Sequence, residues 1–272
     1  VLVVCWVAAV VSCLGYGVGS VLQSVGARRA AHVTGVTGVA LILLQGPYLL
    51  GLAADGLAFV ANVVALQRLP LFLVQAVLTA SVAVTAVVAA IRGEALSRRD
   101  WASLGVLGVG LVLLSLSAST ESALRVSGLS QWLIFTSLLI PVVLGMVGVR
   151  LRGKPSSDLL ALSSGLAFTG VAVASRGISG LPLTWHLLLN PLLWTILVQG
   201  ALGMVFFALA LQRGAVTTVT AITFVVEMVI PSILGVVLFG DGVAQGLVVV
   251  AVAGFALAVA GTLALARFAE PA

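Results

Sequence analysis

Residues 215–239 read Ala215-Val-Thr-Thr-Val-Thr220-Ala-Ile-Thr223-Phe-Val-Val-Glu227-Met-Val-Ile-Pro231-Ser-Ile-Leu-Gly-Val-Val-Leu-Phe239. One ionisable group stands in this run of otherwise apolar, glycyl and hydroxyl residues. At 1.5 Å per residue a helix of this length outruns the ~30 Å hydrocarbon core of a bilayer. The segment is therefore read as a membrane-crossing helix with a carboxylate and a proline inside it. Pro231 has no N–H to give the carbonyl four residues back, which is that of Glu227. A charge at mid-bilayer costs about 2.5–3.5 kcal/mol on insertion scales, so such an acid is expected to face a cavity and act on an ion, a proton or a polar substrate. Thr220, Thr223 and Glu227 follow helical spacing and are expected to share a face.

The rest of the chain has the same character. Of 272 residues 61% are apolar and 8% are charged, against roughly a quarter charged in an ordinary soluble domain. Mean hydropathy is +1.28. The net charge of +5 comes from short clusters between apolar runs, a pattern of membrane topology and not of nucleic-acid binding. The one lysine, Lys154, belongs to no phosphate-binding loop. His32 and His186 lack H-E-x-x-H spacing or cysteine partners, so no catalytic zinc site is expected. Cys5 and Cys13 on one helix would lie roughly 12 Å apart, too far for a disulfide. The opening Val1-Leu-Val-Val has no basic region before it and is read as the first membrane helix, not a cleaved signal. No nucleophile–base pair stands in the spans, so no enzyme activity is expected.

Nine spans are expected, making an all-α polytopic membrane bundle: Val1–Ala27, Gly46–Gln67, Pro70–Ile91, Trp101–Ala118, Leu129–Val149, Asp158–Ile178, Asn190–Gln212, Ala215–Phe239 and Val243–Ala266. The apolar piece Ala31–Gln45 is short, carries Gly35 and Gly38, and would make a tenth. Nine spans place Arg28, Arg29, Arg92, Arg98, Arg99, Arg150, Arg152, Lys154, Arg213 and Arg267 on one side, against Arg68, Arg125 and Arg176 on the other. Ten spans move Arg28 and Arg29 across. The positive-inside rule favours nine, with the C-terminus in the cytoplasm, an inner (plasma) membrane location, and the cytoplasmic arginine clusters setting topology and contacting anionic lipid head groups.

Ala65-Leu-Gln-Arg68 recurs as Ala210-Leu-Gln-Arg213. Each copy ends a helix that opens near a proline, Pro47 or Pro191. Each is followed by a long apolar helix, ending in Arg92-Gly-Glu94 or Phe239-Gly-Asp241, and then a Gly-rich helix. Ser12-Cys-Leu-Gly-Tyr16 loosely matches Ser164-Gly-Leu-Ala-Phe168. The expected organisation is a first repeat over 1–118, a linker with one span over 119–150, and a second repeat over 151–272. Five spans separate matching positions, so the copies are inverted, as in many secondary transporters.

Ala65-Leu-Gln-Arg-Leu-Pro70, Gly93-Glu94, Trp101 and the Gly-rich helix after it resemble the EamA-type repeat of the drug/metabolite transporter superfamily. Gly51-Leu-Ala-Ala-Asp55, Asn62 and Leu73-Val74-Gln75 are similar to the NIPA-type magnesium transporters. There Asp55 replaces a glutamate, and the proline of a V-x-P segment is missing. The first helix has Ser12, Tyr16, Ser20 and Gln23 but no acid, unlike the small multidrug resistance relatives. The resemblance implies alternating access with no bound cofactor, and a transported Mg2+ or a coupling proton at Asp55 and Glu227.

Around these acids the expected site comprises Asp55, Tyr48 and Asn62 on one helix face, Glu227 with Thr220 and Thr223, Tyr16, and Gln75 with Thr79, with Pro231 as a kink. Gly15, Gly17, Gly19, Gly110 and Gly254 are expected to allow close helix packing. Glu94 and Asp241 are expected at helix ends, solvated or paired with Arg92, Arg98 or Arg99. The expected partners are membrane lipids and a small-molecule or ion substrate. The alternative reading is a non-transporting membrane subunit or scaffold, or a partner of a lipid-linked intermediate flippase in envelope assembly.

Overall fold

A computed structural model of the chain describes residues 1–29, 45–91, 96–119, 127–179, 181, 184–214 and 216–266. In a bilayer every backbone N–H and C=O must be satisfied within the chain, and helices do this span by span. The helices are α1 Leu2–Arg29, α2 Gly46–Ala65, α3 Leu71–Thr79, α4 Ser81–Ile91, α5 Arg98–Ser117, α6 Gly128–Thr136, α7 Leu139–Arg150, α8 Lys154–Ile178, α9 Pro191–Leu211, α10 Val216–Phe239 and α11 Val248–Leu265. A short 3-10 turn, Trp185–Leu189, precedes α9. Among the described residues nine spans are long and apolar enough to cross a membrane, α3–α4 and α6–α7 each making one. The chain is an integral multi-pass membrane protein.

Several expected boundaries move, for local reasons. Ser97 and Asp100 form a reciprocal capping box, so α5 begins at Arg98 and not at Trp101. Gly153, at φ +68°, turns the chain into α8 at Lys154, and Pro155 sits in the first turn, ahead of the expected start at Asp158. The last span starts at Val248, because Val243 pairs with Ala118 in an antiparallel bridge. The fifth span, expected as one helix, is broken between Thr136 and Leu139. Pro141 has no N–H for the Ser137 carbonyl, which bonds Ile140 N at 3.0 Å instead. The third span is broken at Ala80, where Thr79 Oγ1 bonds the carbonyls of Gln75 and Ala76 at 3.0 and 3.1 Å.

Side-chain neighbours give the directions of the spans. Gly15 meets Ala58, Gly19 meets Asp55 and Gly51, and Gly51 meets Gln23, so α1 and α2 run antiparallel. The chain therefore leaves α1 and enters α2 at the same end of the bundle, as the nine-span reading requires. Residues 30–44, which carry most of the Ala31–Gln45 question, lie outside the described residues, as does Glu94. By the same logic α8 runs antiparallel to α9, through Ser157–Ala210 and Ser164–Gly203. The two ends of the bundle are named below for Arg68 and Arg213.

The first and last groups of four spans pack alike. A Cβ on Gly17 would stand 2.5 Å from the Val84 Cβ and 2.9 Å from the Ser81 carbonyl; one on Gly165 would stand 2.7 Å from the Val226 Cβ and 2.9 Å from the Thr223 carbonyl. In each group the first span thus lays a glycine against the third, running parallel to it. Across the groups, α5 and α11 cross antiparallel at Gly110 and Gly254, where an added Cβ would fall 2.5 Å from the Ala258 nitrogen. Small residues let backbones approach where lipid supplies no hydrophobic drive between helices. Large apolar side chains such as Ile91, Val249 and Leu57 point outward. The inner element is α8, two-thirds buried, with Ser156, Ser157, Ser163, Ser164, Thr169 and Ser175 all enclosed.

Candidate functional site

Between the two groups lies a cavity of about 860 Å³. From the first group α1 contributes Tyr16, Ser20 and Gln23, α2 contributes Tyr48, Asp55, Phe59 and Asn62, and α3 contributes Gln75 and Thr79. From the second group α8 contributes Phe168 and Ala172, α9 contributes Ile196 and Met204, and α10 contributes Phe224 and Glu227.

The structure thus brings Tyr16, Tyr48, Asp55, Asn62, Gln75 and Glu227 to one cavity. Seven-residue spacing aligns Tyr48, Asp55 and Asn62 on α2. The expected shared face of Thr220, Thr223 and Glu227 does not form a common lining. Thr223 and Thr220 are buried, and the Thr223 hydroxyl donates to the Ala161 carbonyl of α8 at 3.2 Å.

The Glu227 carbonyl, left without its helical donor by Pro231, accepts from Gln75 Nε2 at 3.0 Å. The helix runs unbroken through Pro231, so the exposed backbone oxygen is satisfied across the group boundary and not by an open turn. This use leaves Gln75 Oε1 buried and without a partner among the described residues, and Asn62 Oδ1 is in the same position. Buried amide oxygens are almost always hydrogen-bonded, so two orphaned acceptors beside a cavity mark a place where a donor belongs. Asp55 Oδ2 accepts from Gln23 Nε2 at 2.5 Å. Among the described residues no hydrogen bond or ion pair engages the Glu227 carboxylate. Tyr16 lies within electrostatic reach of both acids.

The cavity is therefore rich in acceptors and carries two carboxylates, with phenylalanine and tyrosine walls. Those walls (Phe59, Phe168, Phe224) were missed from sequence, since single aromatics in apolar helices carry no periodic signal. Among the described residues no group of three His, Cys, Asp or Glu side chains is placed to hold a metal ion.

Asp241 corrects the sequence expectation. It is buried, and its partner is Arg176, not Arg92, Arg98 or Arg99. The reason is topological: Asp241 follows the C-terminus of α10 at the Arg68 end, whereas Arg98 and Arg99 begin α5 at the other. Arg176, counted among the flanking charges, is likewise buried. Burial pushes the Asp241 carboxyl above the ordinary carboxylate range, while Arg176 and the Leu71 amide pull the other way.

No protein-family model, curated protein or solved structure matches the chain.

Proposed function

We propose that the chain is a secondary transporter that moves a small polar metabolite or cation by alternating access of two inverted four-span groups. The observation that carries this reading is the cavity between the groups, with Asp55, Glu227 and the unpartnered oxygens of Asn62 and Gln75 on its walls. Membership of the drug/metabolite transporter superfamily, an inner-membrane location with the Arg213 end in the cytoplasm, and proton coupling through the same carboxylates belong to this proposal. The matched glycine contacts of Gly17 and Gly165 support the inverted arrangement.

Acceptors and carboxylates call for a cargo that donates hydrogen bonds and carries positive charge. Aromatic faces attract cations by their quadrupole. A small organic ammonium ion with an apolar body satisfies both features and suits a cavity of this size. Mg2+ is the second reading, favoured by two carboxylates and two amide oxygens, all hard ligands. It would travel with much of its water, which the aromatic walls do not bind.

The test is uptake of labelled organic amines and of magnesium into proteoliposomes. Asp55→Asn and Glu227→Gln should each lower uptake of the true cargo by about 10–100-fold, the worth of a charge-assisted hydrogen bond. Undiminished uptake with both acids neutralised would overturn the site.

A further inference from the structure

Arg176 is 2% exposed in the last turn of a membrane helix, and it is not part of the cavity lining. Its guanidinium pairs with the Asp241 carboxylate and donates to the Leu66 carbonyl. The second Asp241 oxygen accepts the Leu71 N–H at 2.5 Å. Ser179 Oγ adds a bond to the Leu66 carbonyl at 3.2 Å, and Asp241 N bonds the Gly235 carbonyl at 3.1 Å. Leu66 and Leu71 belong to the first group of spans, Arg176 and Asp241 to the second.

The placement follows helix electrostatics. Leu66 caps the C-terminus of α2, where carbonyls lack donors, and receives the cation. Leu71 is the first residue of α3, where N–H groups lack acceptors, and receives the anion. Beside this knot, Ser119 N bonds the Gly242 carbonyl at 3.1 Å and Ala244 N bonds the Ser117 carbonyl at 2.8 Å. Cross-group hydrogen bonds among the described residues run from here down to Gln75–Glu227 and Thr79–Met228. The cavity lining reaches Gln23 late in α1 and Tyr48 in the first turn of α2, toward the Arg213 end.

We propose that the Arg176–Asp241 pair, through its bonds to the Leu66 carbonyl and the Leu71 N–H, is the latch that closes the cavity at the Arg68 end, and that those two bonds break when the cavity opens there. This rests on the transporter reading of the cavity. A buried ion pair suits the task better than an apolar seal. Both charges are held there at a desolvation cost, so water entering on opening hydrates them as they give up the Leu66 carbonyl and the Leu71 N–H. The closed and open states then stay within reach of a modest bias, as alternating access demands.

The test needs no cargo. In a protein with Cys5 and Cys13 replaced by Ala, Ala172→Cys places a thiol on the cavity wall. A membrane-impermeant thiosulfonate is applied from each face of sealed vesicles. With the latch intact, labelling comes from the Arg213 face. Asp241→Asn should raise labelling from the Arg68 face by about tenfold or more, because one broken charge contact exceeds the 1.4 kcal/mol that a tenfold shift requires. Ser163→Cys, buried in α8 away from the cavity, should stay unlabelled. Unchanged labelling from the Arg68 face overturns the latch, and so does a matching rise at Ser163→Cys, which would mean a loosened bundle. If Asp241→Asn does not fold, Arg176→Lys keeps the charge and loses the two-armed contact, and the same outcomes apply. Opening in a protein that transports nothing would sink the transporter reading and leave the latch. Uptake that survives with labelling unchanged would do the reverse.

Discussion

Asp55 and Gln199 hold corresponding places in the two groups of spans, each eight residues after the proline that opens its helix, Pro47 and Pro191. Each lies against a glycine of the first helix in its own group, Gly19 for Asp55 and Gly170 for Gln199. From there the two diverge. Asp55 lines the central cavity and is held by Gln23. Gln199 is buried and turned toward Ser137 of the linker span, with Nε2 at 3.4 Å from its hydroxyl. One scaffold position thus serves the cavity in one group and fastens the extra span in the other. The second group returns its own acid from another helix, Glu227 on α10. The contrast teaches that a repeated backbone does not repeat its chemistry: the linker span has drawn one of the two polar positions into structure.

The ion pairs of the described residues also differ, Arg176–Asp241 being buried and Lys154–Asp158 exposed, and the buried one gives the largest expected effect. Asp241→Ala leaves Arg176 buried without its anion and the Leu71 N–H without its acceptor. Stripping one partner from a buried pair costs about 3–5 kcal/mol. Thermal unfolding in detergent should show the loss, and a change below about 1 kcal/mol would mean that water already reaches the pair. The next effect splits the two matched positions. Asp55→Asn should weaken cation binding by about 10–100-fold with little change in stability, while Gln199→Leu should leave binding within about twofold. Equal loss of binding from both would erase the division of labour between the groups.

How far the sequence speaks follows the reach of its signals. A lone acid in an apolar run and a proline four residues after it are visible along the chain, so Glu227 and its freed carbonyl were legible. The donor that takes that carbonyl, Gln75, stands 152 positions away, and no local pattern announces it. Helical spacing aligned Tyr48, Asp55 and Asn62 because a single helix carries all three. It misassigned Thr220 and Thr223, since periodicity fixes a face but not what packs on it. Arg176 was counted as a flanking charge for the same reason. A position two residues from a span end counts toward charge bias until its partner, from a different span end, is known. The breaks in α3–α4 and α6–α7 turn on hydroxyl and proline effects that hydropathy averages away.

The matched glycines make the likeness of the groups measurable. Gly17→Ala and Gly165→Ala each drive a methyl into a valine side chain and a backbone carbonyl. Overpacking of this kind costs about 1–3 kcal/mol. The two variants should lose stability by amounts within about 1 kcal/mol of each other, since both place the new Cβ near 2.9 Å from a carbonyl on the third span. A large inequality would show that one group has room to give. The smallest expected effect lies at the surface of the Arg213 end. Lys154 and Asp158 meet at 2.6 Å, but the lysine side chain is 78% exposed. A solvated pair at this helical spacing contributes about 0.3–0.5 kcal/mol. Asp158→Ala should therefore shift the unfolding midpoint barely at all, and less still at high salt. A loss approaching that of Asp241→Ala would mean that this exposed pair holds the fold as firmly as the buried one, and the contrast between the two ion pairs would fall with it.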